Sequence, residues 1–204
     1  MSEVKSDRAA PDRSTSRERS ARIITEIFAP WTVIVALFLT VGFNSGDNGL
    51  AWGLAGAFFC SIAPMLVILA GVLVGRYADH HLTTRRHRLV PLILAITLVL
   101  LGIAVLHNLN APADILTTQT AILTGGLVGA PITALWKISF HTGVAAAAAT
   151  VLVLLYGTSF LALSPLLLLI AWARTALTHH TTAQVLTAIP IGALAAALPL
   201  LLTH

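Results

Sequence analysis

The sequence predicts an all-α fold, a polytopic transmembrane bundle of six to seven helices. Of its 204 residues, 57% are hydrophobic and only 10% are charged, whereas about 25% of the residues in a typical soluble domain are charged. The apolar residues form long runs, and a helix that crosses the roughly 30 Å hydrocarbon layer needs about 20 of them. Residues 1–22 are rich in charge, Ser and Pro and indicate a disordered basic tail. We therefore expect one membrane domain, residues 23–204.

Seven apolar stretches indicate the helices, and the fifth and sixth are short enough to be tilted, kinked or partly re-entrant. They are Ile27–Phe43, Leu50–Val74, Leu89–Leu106, Ile115–Trp136, Thr142–Tyr156, Phe160–Ala173 and Val185–Leu202. Positive charge lies in the tail and then on every second connector, in Arg76–Arg88, at Lys137 and at Arg174. Because cytoplasmic loops carry an excess of Lys and Arg, we expect the tail and these connectors on the cytoplasmic face.

Three polar groups interrupt the hydrophobic pattern, and the alternating topology places all three on one membrane face. They are the loop Arg76–Arg88 with Asp79, His80, His81, Arg85 and Arg88, the segment Lys137–His141 with Ser139, and the segment Arg174–Gln184 with His179 and His180. Topology alone could explain the loop, since Lys and Arg also bind anionic headgroups without any reaction. The two segments each combine a cation with histidine, which anchoring does not require. This combination suits an anionic ligand.

The two segments resemble motifs of the type 2 phosphatidic acid phosphatases. Arg174, His180 and Gln184 fit the spacing of that family's last motif, which reads Ser-Arg, five residues, His, three residues, Asp. Ser139 and His141 align with the Ser and His of its Pro-Ser-Gly-His motif. The order of the motifs, their separation and their common membrane side agree with one another.

Three features depart from the family pattern. Gln184 replaces an Asp, so it can orient a histidine but cannot neutralise its charge. Phe140 replaces a Gly, which places a ring either near the phosphate or along a groove for a lipid tail. Arg85, Arg88 and Pro91 are only loosely similar to the opening motif, which reads Lys, six residues, Arg-Pro.

The resemblance implies a six-helix core and an integral membrane, metal-independent lipid phosphatase that uses no cofactor. The histidine matching His180 would attack phosphorus and form a phosphohistidine, with Gln184 orienting its ring. The histidine matching His141 would protonate the leaving oxygen. The expected phosphate-binding residues are Arg174, Lys137, Ser139, Arg85 and Arg88. The substrate would be a lipid phosphomonoester or diphosphate, and the predicted cytoplasmic site with its thin loops favours a polyprenyl phosphate over phosphatidic acid.

Other functions fit the sequence less well, and one stays open. Gln184 favours a catalytically silent protein of the same fold that binds or moves an anionic lipid. A metal site of His80, His81, His179 and His180 is disfavoured because adjacent histidines are poorly placed to chelate together. A prenyltransferase needs two carboxylate clusters for Mg²⁺, and a transporter more typically has polar groups at mid-membrane. The basic residues lack the interleaved aromatics of a nucleic-acid site, and the oligomeric state stays undetermined.

Overall fold

Helices account for nearly all of the residues that the computed structural model describes, which are 15–75 and 89–203. In chain order they are α1 (Ser16–Ile27), α2 (Pro30–Asn44), α3 (Gly49–Ala57), α4 (Ala63–Leu73), α5 (Leu89–Asn108), α6 (Ala113–Leu135), α7 (Phe140–Tyr156), α8 (Ser164–Ala176) and α9 (Thr182–Thr203). The π-helical segment Phe58–Ile62 joins α3 to α4, and the 3-10 segment Thr158–Leu163 precedes α8. The all-α prediction is confirmed for this part of the chain.

Five segments of the described chain are long and apolar enough to cross a membrane, namely Gly49–Leu73, Val90–Asn108, Ala113–Leu135, Thr158–Ala176 and Thr182–Leu202. The pair α1 and α2 would form a sixth span, although the pair is bent by 46°. Large apolar side chains lie on the outside of the bundle, as at Leu73, Leu135 and Leu198. The helices therefore agree with the predicted multi-pass membrane protein.

Helix α7 is apolar but has only 17 residues. At a rise of 1.5 Å per residue it is about 26 Å long, which is shorter than the roughly 30 Å hydrocarbon layer. The glycine that ends it, Gly157, has a φ of +102° that other residues rarely adopt. The prediction that the fifth apolar stretch is short is thus confirmed.

Helix α1 begins inside the segment that the sequence predicts to be disordered. The N–H of Glu18 donates to Thr15 Oγ1 at 3.3 Å, and the N–H of Thr15 donates to the Glu18 carboxylate at 3.2 Å. This reciprocal capping box satisfies backbone donors at the start of the helix, and α1 also packs on α8 with Ala21 buried. The prediction of disorder is therefore wrong for residues 16–22, because capping and packing offset the entropy cost of ordering them.

Glycines bring α7 and α9 into backbone contact. A Cβ atom on Gly192 of α9 would overlap the carbonyl group of Gly143 in α7. Small residues permit such close approach in membrane bundles, where helices associate through packing rather than the hydrophobic effect. This contact packs the start of α7 against the middle of α9, and the predicted polar segments lie at the starts of these two helices.

Candidate active site

The structure brings two of the three predicted polar groups together, at the starts of α7 and α9. Nδ1 of His180 lies 3.2 Å from the backbone carbonyl oxygen of Lys137. The N–H of Ser139 donates to the carbonyl oxygen of Gln184 at 3.4 Å. Residues that are more than forty positions apart in sequence therefore form one polar centre.

Two acceptors hold the imidazole of His180 in one orientation. Besides the Lys137 carbonyl, Nδ1 lies 3.3 Å from Oε1 of Gln184. The N–H of Thr181 also donates to this Oε1 at 3.2 Å, so the amide oxygen rather than the amide nitrogen faces the ring. A carbonyl oxygen can only accept a hydrogen bond, so the ring proton lies on Nδ1. In the neutral ring Nε2 then carries the lone pair.

A capping box at the start of α9 places Gln184 beside His180. The N–H of Gln184 donates to Thr181 Oγ1 at 3.3 Å, reciprocating the bond from the Thr181 N–H to Gln184. His180 itself precedes α9, so the contact with Gln184 crosses the helix start rather than running along a helical face. Thr181 was not among the predicted site residues. Its spacing to Gln184 is the sequence signature of a capping box and could have revealed the contact.

The polar side chains of the centre are buried and line one cavity of about 290 Å³. Arg174 is 2% exposed, His180 6%, His141 5% and Ser139 0%. Ser139 directly precedes α7 and His141 lies in its first turn, on the helix that packs against α9. Burial of a guanidinium is costly unless polar or anionic groups solvate it.

The cavity has the electrostatic character of an anion site. It contains Arg174, and none of its described lining residues is Asp or Glu. Ser139 Oγ is fully buried and has no hydrogen-bond partner within the described part of the chain. A cavity lined by a guanidinium group and such a hydroxyl group can hold a phosphoryl group through charge-assisted hydrogen bonds.

Phe140 forms part of the apolar wall of this cavity. A Cβ atom on Gly129 of α6 would lie 3.2 Å from the Phe140 ring, so the ring packs against that glycine. The side chain is half-buried and lines the cavity beside Ser139 and His141. The structure thus shows the ring on the cavity wall, and both places that the sequence left open, near the phosphate or along a groove for a lipid tail, stay predictions.

Three residues of the two polar segments lie outside the described lining of the cavity. Lys137 contributes its backbone carbonyl, and its side chain is not among the described residues that line the cavity. Its predicted contact with phosphate stays a prediction. Gln184 lies behind His180 rather than in the cavity. His179 is half-buried and also lies outside the lining.

The first predicted polar group lies outside the described residues. It contains Asp79, His80, His81, Arg85 and Arg88. The helices on either side of it contribute Ile68 of α4 and Pro91 of α5 to the same cavity. The predicted phosphate contacts of Arg85 and Arg88 and the alternative metal site with His80 and His81 stay predictions.

Comparisons of the chain with protein-family models, with curated proteins and with solved structures gave no match. The function is therefore inferred from the chemistry of this site.

Proposed function

We propose that the protein is an integral membrane lipid phosphatase that hydrolyses a lipid phosphomonoester or diphosphate through a phosphohistidine intermediate. The observation that carries the proposal is the orientation of His180, whose Nδ1 lies within 3.3 Å of two acceptors. This arrangement keeps the proton on Nδ1 and leaves Nε2 as the nucleophilic atom. The resemblance of the motifs to the type 2 phosphatidic acid phosphatases supports the same assignment.

The first step transfers the phosphoryl group to the protein. Arg174 and the hydroxyl group of Ser139 bind the phosphoryl oxygens, whose charge must be stabilised in the transition state. Nε2 of His180 attacks phosphorus while the bond from phosphorus to the lipid oxygen breaks. The protonated ring of His141 gives its proton to that oxygen, and the lipid leaves as an alcohol or, from a diphosphate, as a monophosphate.

The second step regenerates the enzyme. Neutral His141 takes a proton from water as the water oxygen attacks phosphorus, and the bond between phosphorus and His180 Nε2 breaks. Inorganic phosphate leaves, His141 is protonated again and His180 is neutral. Every atom in both steps comes from the substrate, the two histidines or water, and the scheme needs no redox partner.

Gln184 is expected to slow the first step. Attack through Nε2 gives the ring of His180 a positive charge, which a carboxylate at position 184 would neutralise. The amide of Gln184 and the carbonyl of Lys137 offer only dipoles, although both hold the required tautomer. In a serine-protease triad the replacement of the orienting carboxylate by an amide lowers kcat by about 10⁴, largely because it permits the wrong tautomer. Here the Lys137 carbonyl holds the required tautomer of His180, so the part of the rate loss that comes from the wrong tautomer is not expected.

Gln184 also supports a second function, in which the same site binds or moves an anionic lipid without hydrolysing it. The cavity, Arg174 and the Ser139 hydroxyl would serve binding equally well. The release of phosphate distinguishes the two functions.

The decisive experiment measures phosphate release by purified protein in detergent, with a chelator present. The substrates are phosphatidic acid, phosphatidylglycerol phosphate and polyprenyl mono- and diphosphates. Wild type is compared with His180→Ala and Gln184→Asp, and Asp114→Asn at the opposite end of the bundle is the matched control. We expect release by wild type and by the control, a loss of at least about 10³-fold in His180→Ala, and faster release by Gln184→Asp.

The outcomes separate the two functions. Release that survives in His180→Ala would exclude the phosphohistidine mechanism. No release by wild type on any substrate, together with release by Gln184→Asp, would favour the binding function. Acid-labile, base-stable ³²P attached to the Gln184→Asp protein but not to His180→Ala would identify the covalent intermediate directly.

A further inference from the structure

The cavity continues from the polar centre into the apolar interior of the bundle. Along α6 its lining runs from Gly129, beside Phe140, to Ala121, and along α5 it runs from Pro91 to Val99. Each of these paths covers eight positions, or about 12 Å at a rise of 1.5 Å per residue. The cavity is therefore elongated along the helices, with its polar groups at one end.

The far end of the cavity, called the floor here, is apolar. It consists of Val99 of α5, Ala121 of α6, Ala147 of α7 and Ala195 of α9, and all four are less than 8% exposed. The wall between the floor and the polar centre carries one hydroxyl group, that of Ser61, among its described residues. It donates to the carbonyl oxygen of Trp31 at 2.7 Å and is therefore satisfied. None of the described side chains along this wall has a buried polar atom that lacks a hydrogen-bond partner.

We propose that this cavity holds one hydrocarbon tail of the lipid phosphate and that the floor limits the length of tail inside the bundle. The inference rests on the proposed phosphate site, because Arg174 and His180 fix the polar end of the ligand. A phosphate held at that end would direct its attached chain along the apolar wall.

The dimensions support a single chain as the occupant. The path of about 12 Å is shorter than half of the roughly 30 Å hydrocarbon layer, so the bound chain stays within one leaflet. Burial of each methylene group is worth about 0.8 kcal/mol, so affinity should rise with chain length until the chain reaches the floor. Longer chains would have to bend or leave the bundle.

The first test uses photo-crosslinking and does not depend on turnover. Decyl phosphate with a diazirine at the end of its tail is irradiated with wild-type protein, and the labelled residues are mapped by mass spectrometry. We expect labels at Val99, Ala121 and Ala195, which excess decyl phosphate removes and inorganic phosphate reduces. Labels confined to the outward-facing Leu100 and Leu198, which are 50% and 54% exposed, would overturn the proposal.

The second test fills the floor. Ala121→Leu and Ala195→Leu should lower either the labelling by decyl phosphate or the phosphate release from it by about tenfold, since an apolar pocket discriminates roughly this strongly per methylene group. The same readout with butyl phosphate, whose tail does not reach the floor, should stay nearly unchanged. Ala104→Leu on the exposed face of α5 is the control and should change neither. Equal losses for butyl and decyl phosphate in both floor variants, with thermal stability kept, would contradict the proposed floor.

The two proposals can fail separately. Labels at the floor without phosphate release would refute the phosphatase function and keep the tail chamber as part of a binding protein. Phosphate release with labels only on the outer surface would keep the phosphatase function and refute the tail chamber.

Discussion

The two ends of the bundle both carry polar side chains, but they differ in how deeply those side chains are buried. At the opposite end the hydroxyl group of Tyr156 lies 3.4 Å from the carbonyl oxygen of Val41 and 3.4 Å from the carboxylate of Asp114. These three residues come from α7, α2 and α6 and tie the helix ends together. At the His180 end the hydrogen bonds orient an imidazole beside a buried guanidinium.

The difference in burial between the two ends distinguishes a structural polar contact from a candidate active site. The two hydrogen bonds of Tyr156 are long for a hydroxyl group, and the Tyr156 side chain is only half-buried. At the other end Arg174 and His180 are 2% and 6% exposed, and both line the cavity. Desolvation makes electrostatic interactions stronger, so the buried end is the one that can stabilise a phosphoryl transition state.

Among the variants that compare the two ends, the largest effect is expected from the buried cation. Arg174→Ala should lower phosphate release about 10² to 10³-fold, because it removes donors aimed at the phosphoryl oxygens. Arg174→Lys keeps the charge but not the planar fork and should recover only part of the rate. The measurement is kcat/KM on the best lipid phosphate. Arg22→Ala on the exposed surface of α1 is the control, and an equal loss there would show that basic charge in general, rather than this site, supports activity.

A smaller effect is expected from the contact that aligns α7 with α9. Gly192→Ala puts a methyl group against the Gly143 carbonyl, so it should lower stability by about 1–3 kcal/mol. Activity should fall as well, since His141 and His180 are positioned by these two helices. Thermal unfolding in mild detergent measures the first effect. Gly125→Ala has open space for its methyl group and should raise stability slightly, and a melting temperature lowered equally in both variants would contradict the packing argument.

The smallest effect is expected at the opposite end. Tyr156→Phe removes two long hydrogen bonds and should lower stability by about 0.5–1 kcal/mol, with phosphate release unchanged. Thermal unfolding and kcat/KM are measured on the same preparation. A loss of activity comparable to that of Arg174→Ala, with stability intact, would end the division of the molecule into a structural end and a reactive end.

Much of the helical fold could be predicted because membrane helices obey a simple constraint. Each backbone polar group must be satisfied within its own helix, so long apolar runs such as Gly49–Leu73 become helices. The start of α1 was missed because a tail of mixed charge reads as disordered until a cap and a packing partner are known. The prediction of disorder rested on composition, whereas the capping box depends on the spacing of Thr15 and Glu18 along the chain.

The candidate site was predictable in its residue types but not in its connections. The spacing of His180 and Gln184 indicated that an amide could reach the ring, and the structure shows this contact at 3.3 Å. The role of the Lys137 carbonyl could not be predicted, because a backbone group carries no sequence signal. The same holds for the floor of the cavity, where Ala121 and Ala195 look like ordinary small residues of a membrane helix.

The sequence by itself determined that this chain is a multi-pass helical bundle and which histidines and cations are candidates for chemistry, because hydropathy and spacing are local properties. The tertiary structure decided which of them meet. It joined the starts of α7 and α9, buried Arg174 and fixed the tautomer of His180 through a carbonyl more than forty residues away. It also opened the cavity that leads from them into the bundle. These features depend on contacts between helices that are distant in sequence, and no local pattern encodes them.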